Sequence, residues 1–371
     1  MLKKPLTETI DNYSFRPIFG DMEPDPRSNL DRLAREGSPV AASLHLDIAA
    51  RTDIGLERGH NEDSLLVTRF GCRGSTGPCA AQVDVNGPEE WVALGVCDGM
   101  GGAAAGEVAS RSAVEVIDEV LAAGGPVAGP SDLGRRLVAS VEEAARRIHA
   151  AATAQRELEG MGTTATVCAL SGDALFVAQV GDSRAYLLRG GRLTQITRDQ
   201  TLATLMMEQG QLTPEELPTF AFNHVILQAL GTNPRVDVDL VRVTVRRGDV
   251  LLVCSDGLSG PVGDETIRRT LEEATSPAAA GEALIALANA AGGPDNVTCI
   301  VARIQGEALG APVDVVVTLK GGGLEPEEPQ RPITVAAAAP APIIEHERES
   351  EGVAQRRSAL GRVLAFLRGT R

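Results

Sequence analysis

Between Trp91 and Gly102 an apolar run of strand type ends at a carboxylate and dissolves into glycine just before a helical pattern begins. In Trp91-Val-Ala-Leu-Gly-Val-Cys97-Asp98-Gly99-Met100-Gly101-Gly102, Trp91, Ala93, Gly95 and Cys97 alternate with Val92, Leu94 and Val96. Neither set is polar, so the spacing predicts a strand buried on both faces, which only a layered fold provides. An aspartate closing such a strand is costly unless something offsets its charge. The glycines behind it let the backbone approach that partner closely. A cation is the simplest partner, and the rest of the chain is expected to supply its other ligands.

The 371 residues are 43% hydrophobic and 23% charged, enough apolar material for a sizeable core in one large or two modest domains. A formal net charge of −15 argues against nucleic acid as the main partner. No stretch approaches the ~20 apolar residues of a membrane span, and Met1-Leu-Lys-Lys-Pro-Leu leads into polar sequence without a secretory core. Cys97, Cys168, Cys254 and Cys299 sit in or at the end of apolar runs and read as small core residues. Cys72 and Cys79, in a Gly-rich segment, are the pair open to bonding. This usage suits a reducing cytoplasm.

Residues 1–43, with Pro5, Pro17, Pro24, Pro26 and Pro39, read as a flexible extension with a short helix around Leu30–Arg35. A folded domain is expected over 44–305. It opens with strands at 43–51, 64–70 and 91–98. Apolar stripes over 109–121 and 133–148 then predict two antiparallel helices on one sheet face, the second capped by Ser131. Strands return at 165–170, 174–180 and 185–189, with Gly190-Gly191 as a tight hairpin. Thr213-Pro-Glu-Glu reads as a helix start. Strands at 236–245 and 250–254, helices after Asp264 and over 278–291, and a last strand at 296–304 complete the pattern. Such grouping predicts an α+β layered sandwich rather than alternating βαβ units. Residues 306–371 read as a linker and tail. The last 18 residues hold five arginines and no acid, with Leu360, Val363, Leu364 and Leu367 on one helical face, a membrane-surface or partner helix or one packing on its own domain.

Other acids share the setting of Asp98. Asp256 precedes Gly257 after the 250–254 run, Asp295 precedes Asn296 and the last strand, and Asp182 lies in a sharp turn between strands. Glu62 and Asp63 close the turn Arg58-Gly-His-Asn-Glu-Asp63. One Asp-Gly step is ordinarily just a turn; repetition at strand ends gathers carboxylates at one sheet edge. Gathered carboxylates repel unless cations neutralise them, and oxygen-only ligands select Mg2+ or Mn2+ over zinc. Two such ions ~3.5–4 Å apart can activate water and clamp a phosphoryl group. Arg58, in the same turn as Glu62, suits the outer phosphate oxygens. Neither a nucleotide P-loop nor a Gly-x-Ser-x-Gly elbow is present.

In this order, Arg58-Gly-His-Asn-Glu-Asp63, Cys97-Asp-Gly-Met-Gly-Gly102, Gly160-Met-Gly-Thr-Thr164, Val180-Gly-Asp-Ser-Arg-Ala-Tyr-Leu187, Leu193-Thr-Gln-Ile-Thr197, Cys254-Ser-Asp-Gly-Leu258 and Gly292-Gly-Pro-Asp-Asn-Val-Thr298 resemble the bacterial metal-dependent protein serine/threonine phosphatases of type 2C. The resemblance implies a central antiparallel β-sandwich flanked by helix pairs, with a dinuclear Mn2+/Mg2+ site at one end. It implies that Asp98 bridges the two metals, that the Gly99 carbonyl binds one, and that Asp256 and Asp295 bind the second. Asp182 would help hold a looser third ion, and Arg58 would grip the substrate phosphate. Glu62 or Asp63 would bind metal directly or through water, with Asn296 a further tentative position. A metal-bridging hydroxide would then attack phosphoserine or phosphothreonine directly. Expected partners are phosphorylated proteins, among them a serine/threonine kinase. The rival readings are a non-catalytic phosphoprotein-binding regulator and a phosphatase restricted to a partner-switching transcriptional regulator. Two departures stand out. Met100 replaces the histidine of animal relatives, a proposed general acid, leaving leaving-group protonation to water with His60 a weaker candidate. Phe220-Ala-Phe-Asn-His224 replaces a flap segment that carries arginine in bacterial relatives.

Overall fold

The computed structural model describes residues 44–71, 77–78, 82–86, 89–101, 105–307, 309–312 and 320–321. The expected N-terminal extension and its helix, Cys72, Cys79, and the linker and basic tail helix beyond 321 lie outside the described residues.

Alternation of apolar side chains builds two antiparallel sheets. The first holds six strands in the order β10-β9-β12-β13-β1-β4. These are β1 (Leu44–Asp53), β4 (Gln82–Val85), β9 (Arg184–Arg189), β10 (Arg192–Gln195), β12 (Val250–Cys254) and β13 (Val297–Gln305). The second runs β14-β11-β8-β7-β5-β2-β3, with β6 also paired to β5. Its strands are β2 (Asp63–Phe70), β3 (Gly77–Pro78), β5 (Trp91–Met100), β6 (Gly162–Thr163), β7 (Ala165–Ser171), β8 (Ala174–Val180), β11 (Asp239–Thr244) and β14 (Lys320–Gly321).

Strand β5 shows why both of its faces are apolar. Val92, Leu94 and Val96 pack into the core between the sheets, with Leu46, Ile48, Val253 and Ile300. Trp91, Ala93 and Cys97 face outward, against Ala109, Ala113, Leu137 and Val141 of helices α1 (Ala105–Ala123) and α2 (Pro130–Ala154). On the far side, Leu252, Cys254 and Val301 pack against Ile267, Leu271, Leu284 and Ala288. The last four belong to α5 (Asp264–Glu273) and α6 (Pro277–Ala290). The result is the expected α-β-β-α stack. Each fully buried Leu or Ile contributes roughly 1.5–3 kcal/mol, so three continuous cores offset the cost of an acidic cluster at one end. Burial also pushes the thiols of Cys97, Cys168 and Cys254 well above their ordinary range, and these cysteines are free. Among the described residues no helix is long and apolar enough to cross a membrane.

Three local expectations need correcting. Strand β5 does not stop at Asp98: pairing continues through Gly99 and Met100 onto Thr163 and Gly162 of β6. Helix α2 starts at Pro130 with Gly129 as its N-cap, and Ser131 is buried inside the first turn. Proline at the first helical position needs no N–H partner and already holds a helical φ, so it displaces the serine from that role. Thr213-Pro-Glu-Glu does close one turn, its Thr213 N–H donating to Glu216 Oε2 at 3.1 Å, but only a 3-10 turn at Leu217–Thr219 follows. Pro218 lacks the N–H that propagation requires. The helix of this region is instead α3 (Leu202–Glu208), capped by Thr201, whose Oγ1 accepts from Thr204 N.

Candidate metal centre

Antiparallel register carries the acids to one end of the sandwich. Asp63 and Asp98 are directly opposite on β2 and β5 of the second sheet. From the first sheet, Asp256 opens the short helix α4 (Asp256–Ser259) just past β12, and Asp295 lies just before β13, where Cys254 pairs with Cys299. Asp182 sits in the β8–β9 turn, and β9 brings Arg184 opposite Cys254. Each sheet thus contributes carboxylates to a single cluster.

Neighbouring hydroxyls and amides hold the backbone of this cluster. Thr164 Oγ1 accepts from Asp98 N at 2.9 Å, Thr163 Oγ1 donates to Asp98 O at 2.8 Å, and Thr164 N donates to the same oxygen. That is the task of the Gly-Met-Gly-Thr-Thr motif, which its sequence did not disclose. Ser255 Oγ bridges the sheets by donating to Asp63 Oδ2 at 2.8 Å. Asn296 acts as a clamp. Its Oδ1 accepts from Glu62 N at 2.8 Å, while Nδ2 donates to Ile54 O and His60 O, both at 2.9 Å. The Asn296 amide therefore secures the turn carrying Arg58 and Glu62. Arg58 Nη2 donates to Asp295 Oδ2 at 2.7 Å, and the guanidinium side chain remains about half exposed (49%) at the site's edge. Glu62 is buried against the first turn of α1, where a Cβ added at Gly106 would sit 2.5 Å from its Oε2.

Crowding leaves a clear electrostatic mark. Burial, then the charges of Asp63, Asp256 and Asp182, drives the Asp98 carboxyl well above the usual range. Burial pushes Asp63 up to about 7 against the hydrogen bonds from Thr298 and Ser255. Asp182 also reaches about 7, through burial and then Asp256 and Asp199. Asp256 is raised by burial and then by Asp295. Unfolded, such groups titrate near 3.8. Between those values the folded chain binds more protons, so this contribution to stability is complete below about pH 4 and lost as pH passes about 7. Chelator-treated protein is accordingly expected to unfold at lower denaturant concentration at about pH 8 than at about pH 5. Mn2+ at the higher pH should recover the difference; equal midpoints at both pH values without metal would contradict the electrostatics.

Asp63 Oδ1, Asp182 Oδ1 and Asp256 Oδ1 are buried without a hydrogen-bond partner. Buried carboxylate oxygens left unpaired are expensive unless a cation takes them up. All donors are oxygen, which fits Mn2+ or Mg2+. Among the described residues no three acidic, His or Cys side chains already close into a finished ligand group. Asp98 and Asp256 lie within side-chain hydrogen-bond reach of one another, and Asp295 is turned onto Arg58. The unpaired oxygens weigh more than this side-chain grouping, because the backbones are pinned by the sheets while carboxylate torsions are free to turn. The residues fit divalent cations.

The chain is similar to known proteins along most of its length. The family model described as Protein phosphatase 2C matches residues 77–290. Over 311 residues the chain is 36% identical to the serine/threonine protein phosphatase PstP of Mycobacterium tuberculosis, an alignment covering 83% of this chain and 54% of that protein. The chain therefore spans about half the length of that relative. The serine/threonine phosphatase stp of Listeria welshimeri is 31% identical over 251 residues, covering 68% of this chain and 93% of that one. A crystal structure of the catalytic domain of PstP in complex with two manganese ions superimposes with a TM-score of 0.58 at 39% identity, over 71% of this chain and 99% of that domain.

Proposed function

The chain belongs to the protein phosphatase 2C family, and from that premise we propose that it is a Mn2+- or Mg2+-dependent phosphatase of phosphoserine and phosphothreonine in proteins. The observation that carries this reading is the set of buried, partnerless oxygens of Asp63, Asp182 and Asp256 around Asp98, with the Arg58 guanidinium at their border.

Asp98, the Gly99 carbonyl, Asp256 and Asp295 would hold two cations, and Asp182 would contribute to a weaker third. Glu62 and Asp63 would act beside them, directly or through water. Bound there, the cations supply neutralisation of the phosphate's charge and an activated water. The chain's own groups do the remaining work. Arg58 exchanges Asp295 for the outer phosphate oxygens, which a planar guanidinium grips bidentately. Asn296 keeps the Arg58 turn in place while that exchange occurs. Met100 offers no proton, so the leaving alkoxide takes one from solvent. Substrates are phosphorylated proteins, a serine/threonine kinase among them.

The direct test is release of phosphate from p-nitrophenyl phosphate and from a phosphothreonine peptide, with Mn2+ and with excess EDTA. Hydrolysis of both in Mn2+ and neither in EDTA is expected. Undiminished turnover in EDTA would sink the proposal, and tight phosphopeptide binding without turnover would favour the non-catalytic regulator.

A further inference from the structure

Among the described residues five large apolar side chains are exposed, Ile54, Leu56, Met100, Val225 and Leu227, and all five belong to segments bordering the carboxylate cluster. Ile54 and Leu56 lie on the turn that leads to Arg58, and Leu56 N donates to Gly293 O, two residues before Asp295. Met100 ends β5 two residues past Asp98. Val225 and Leu227 flank an extended segment held to the start of α3: Leu202 N donates to Val225 O, and Leu227 N donates to Gln200 O. That segment continues to Leu230, which bridges Thr163, itself paired with Gly99. The neighbouring His224 is close enough to Asp256 to act on that carboxyl.

One exposed leucine on a protein surface is ordinary. Three separate segments each presenting apolar side chains beside one acidic cluster are a binding border. We propose that this rim docks the protein substrate by apolar residues flanking its phosphorylated serine or threonine, and that it selects apolar-flanked over acidic-flanked sites. The inference rests on the phosphatase reading above. Its occupant follows from continuity: a chain whose phosphate lies against Arg58 leaves a site bordered by the segments that carry Leu56, Met100, Val225 and Leu227. Charge points the same way. A chain of net charge −15, with carboxylates at the site itself, disfavours acidic flanks.

The test uses the full chain with Mn2+, p-nitrophenyl phosphate, and three phosphothreonine peptides differing only in leucine, serine or glutamate flanks. The wild-type protein should prefer leucine over glutamate flanks by about tenfold in kcat/KM. In a Leu56→Ser, Leu227→Ser double variant that preference should shrink toward unity, and the ratio of leucine-peptide to aryl phosphate turnover should fall. Equal turnover of the three peptides by wild type overturns the rim while leaving the phosphatase reading intact. So does a preference that survives the double substitution. Absence of Mn2+-dependent aryl phosphate hydrolysis overturns both. Because the peptide series is read first on wild-type protein, a double variant that fails to fold does not rescue the proposal.

Discussion

Replacing Asp98 by asparagine is expected to abolish Mn2+-dependent phosphate release and, at the same time, to raise the unfolding temperature of the chelator-treated protein. The loss should be on the order of 10³-fold or more in kcat, because an amide cannot supply the negative charge that the Asp98 carboxylate would bring to divalent cations held there. The stability gain follows from the surroundings of Asp98. Its carboxyl is held well above its ordinary pKa by burial and then by the charges of Asp63, Asp256 and Asp182, so at neutral pH folding carries a penalty that asparagine removes. The substitution keeps the side chain's shape, and the amide donates toward Asp256. The bonds to Thr163 and Thr164 use only the Asp98 backbone and survive. A gain of about 1 kcal/mol corresponds to a shift of roughly 2–4 °C in a domain of this size. Adding Mn2+ should reverse the order, protecting wild type strongly and the variant weakly. Scanning calorimetry of both proteins, with EDTA and with Mn2+, checks all four states. A variant less stable than wild type in EDTA would show that Asp98 holds the fold together rather than straining it.

Gly99→Ala should strongly disrupt the fold itself. An added Cβ would lie 2.2 Å from Gly106 O, 2.5 Å from Gly106 C and 2.6 Å from Glu62 O. All three are backbone atoms, so no side chain can swing aside. Relief requires moving α1 from β5, or the Glu62 turn from the Gly99 N–H that donates to its carbonyl at 3.1 Å. The expected cost is about 3 kcal/mol or more, seen as a lowered denaturation midpoint or loss of soluble protein. Any variant that folds should bind Mn2+ poorly if the Gly99 carbonyl holds a cation as proposed, since that carbonyl shifts with its peptide. Midpoints equal to wild type would mean that α1 has room to give.

The elements were legible wherever side-chain period reports burial. Strand β5, the α1 and α2 stripes and the two-glycine hairpin needed no tertiary information. Gly190 and Gly191 both take positive φ, 54° and 78°, as a tight antiparallel turn requires. Misreadings came where a local rule met a stronger neighbour. Ser131 has the chemistry of a cap, but Pro130 started the helix. Thr213 formed its capping bond, and Pro218 ended the helix after one turn. Cooperative pairing with β6, which apolar alternation cannot report, carried β5 past Asp98.

Of the site, the sequence alone determined the donor chemistry. Acids at strand ends, oxygen without paired His or Cys, glycine beside each close approach and an arginine in the first turn are all local facts. Which acids meet is a matter of register and of sheet stacking, set by long-range contacts that no local period encodes. Only the tertiary structure put Asp63 opposite Asp98, joined Ser255 of one sheet to Asp63 of the other, and set Arg58 against Asp295. It also made Asn296 the clamp on the Glu62 turn, because all three hydrogen bonds of its side-chain amide reach residues more than 200 positions away. Side-chain chemistry is inherited from each residue, whereas a shared electrostatic field exists only once folding has removed the water between them.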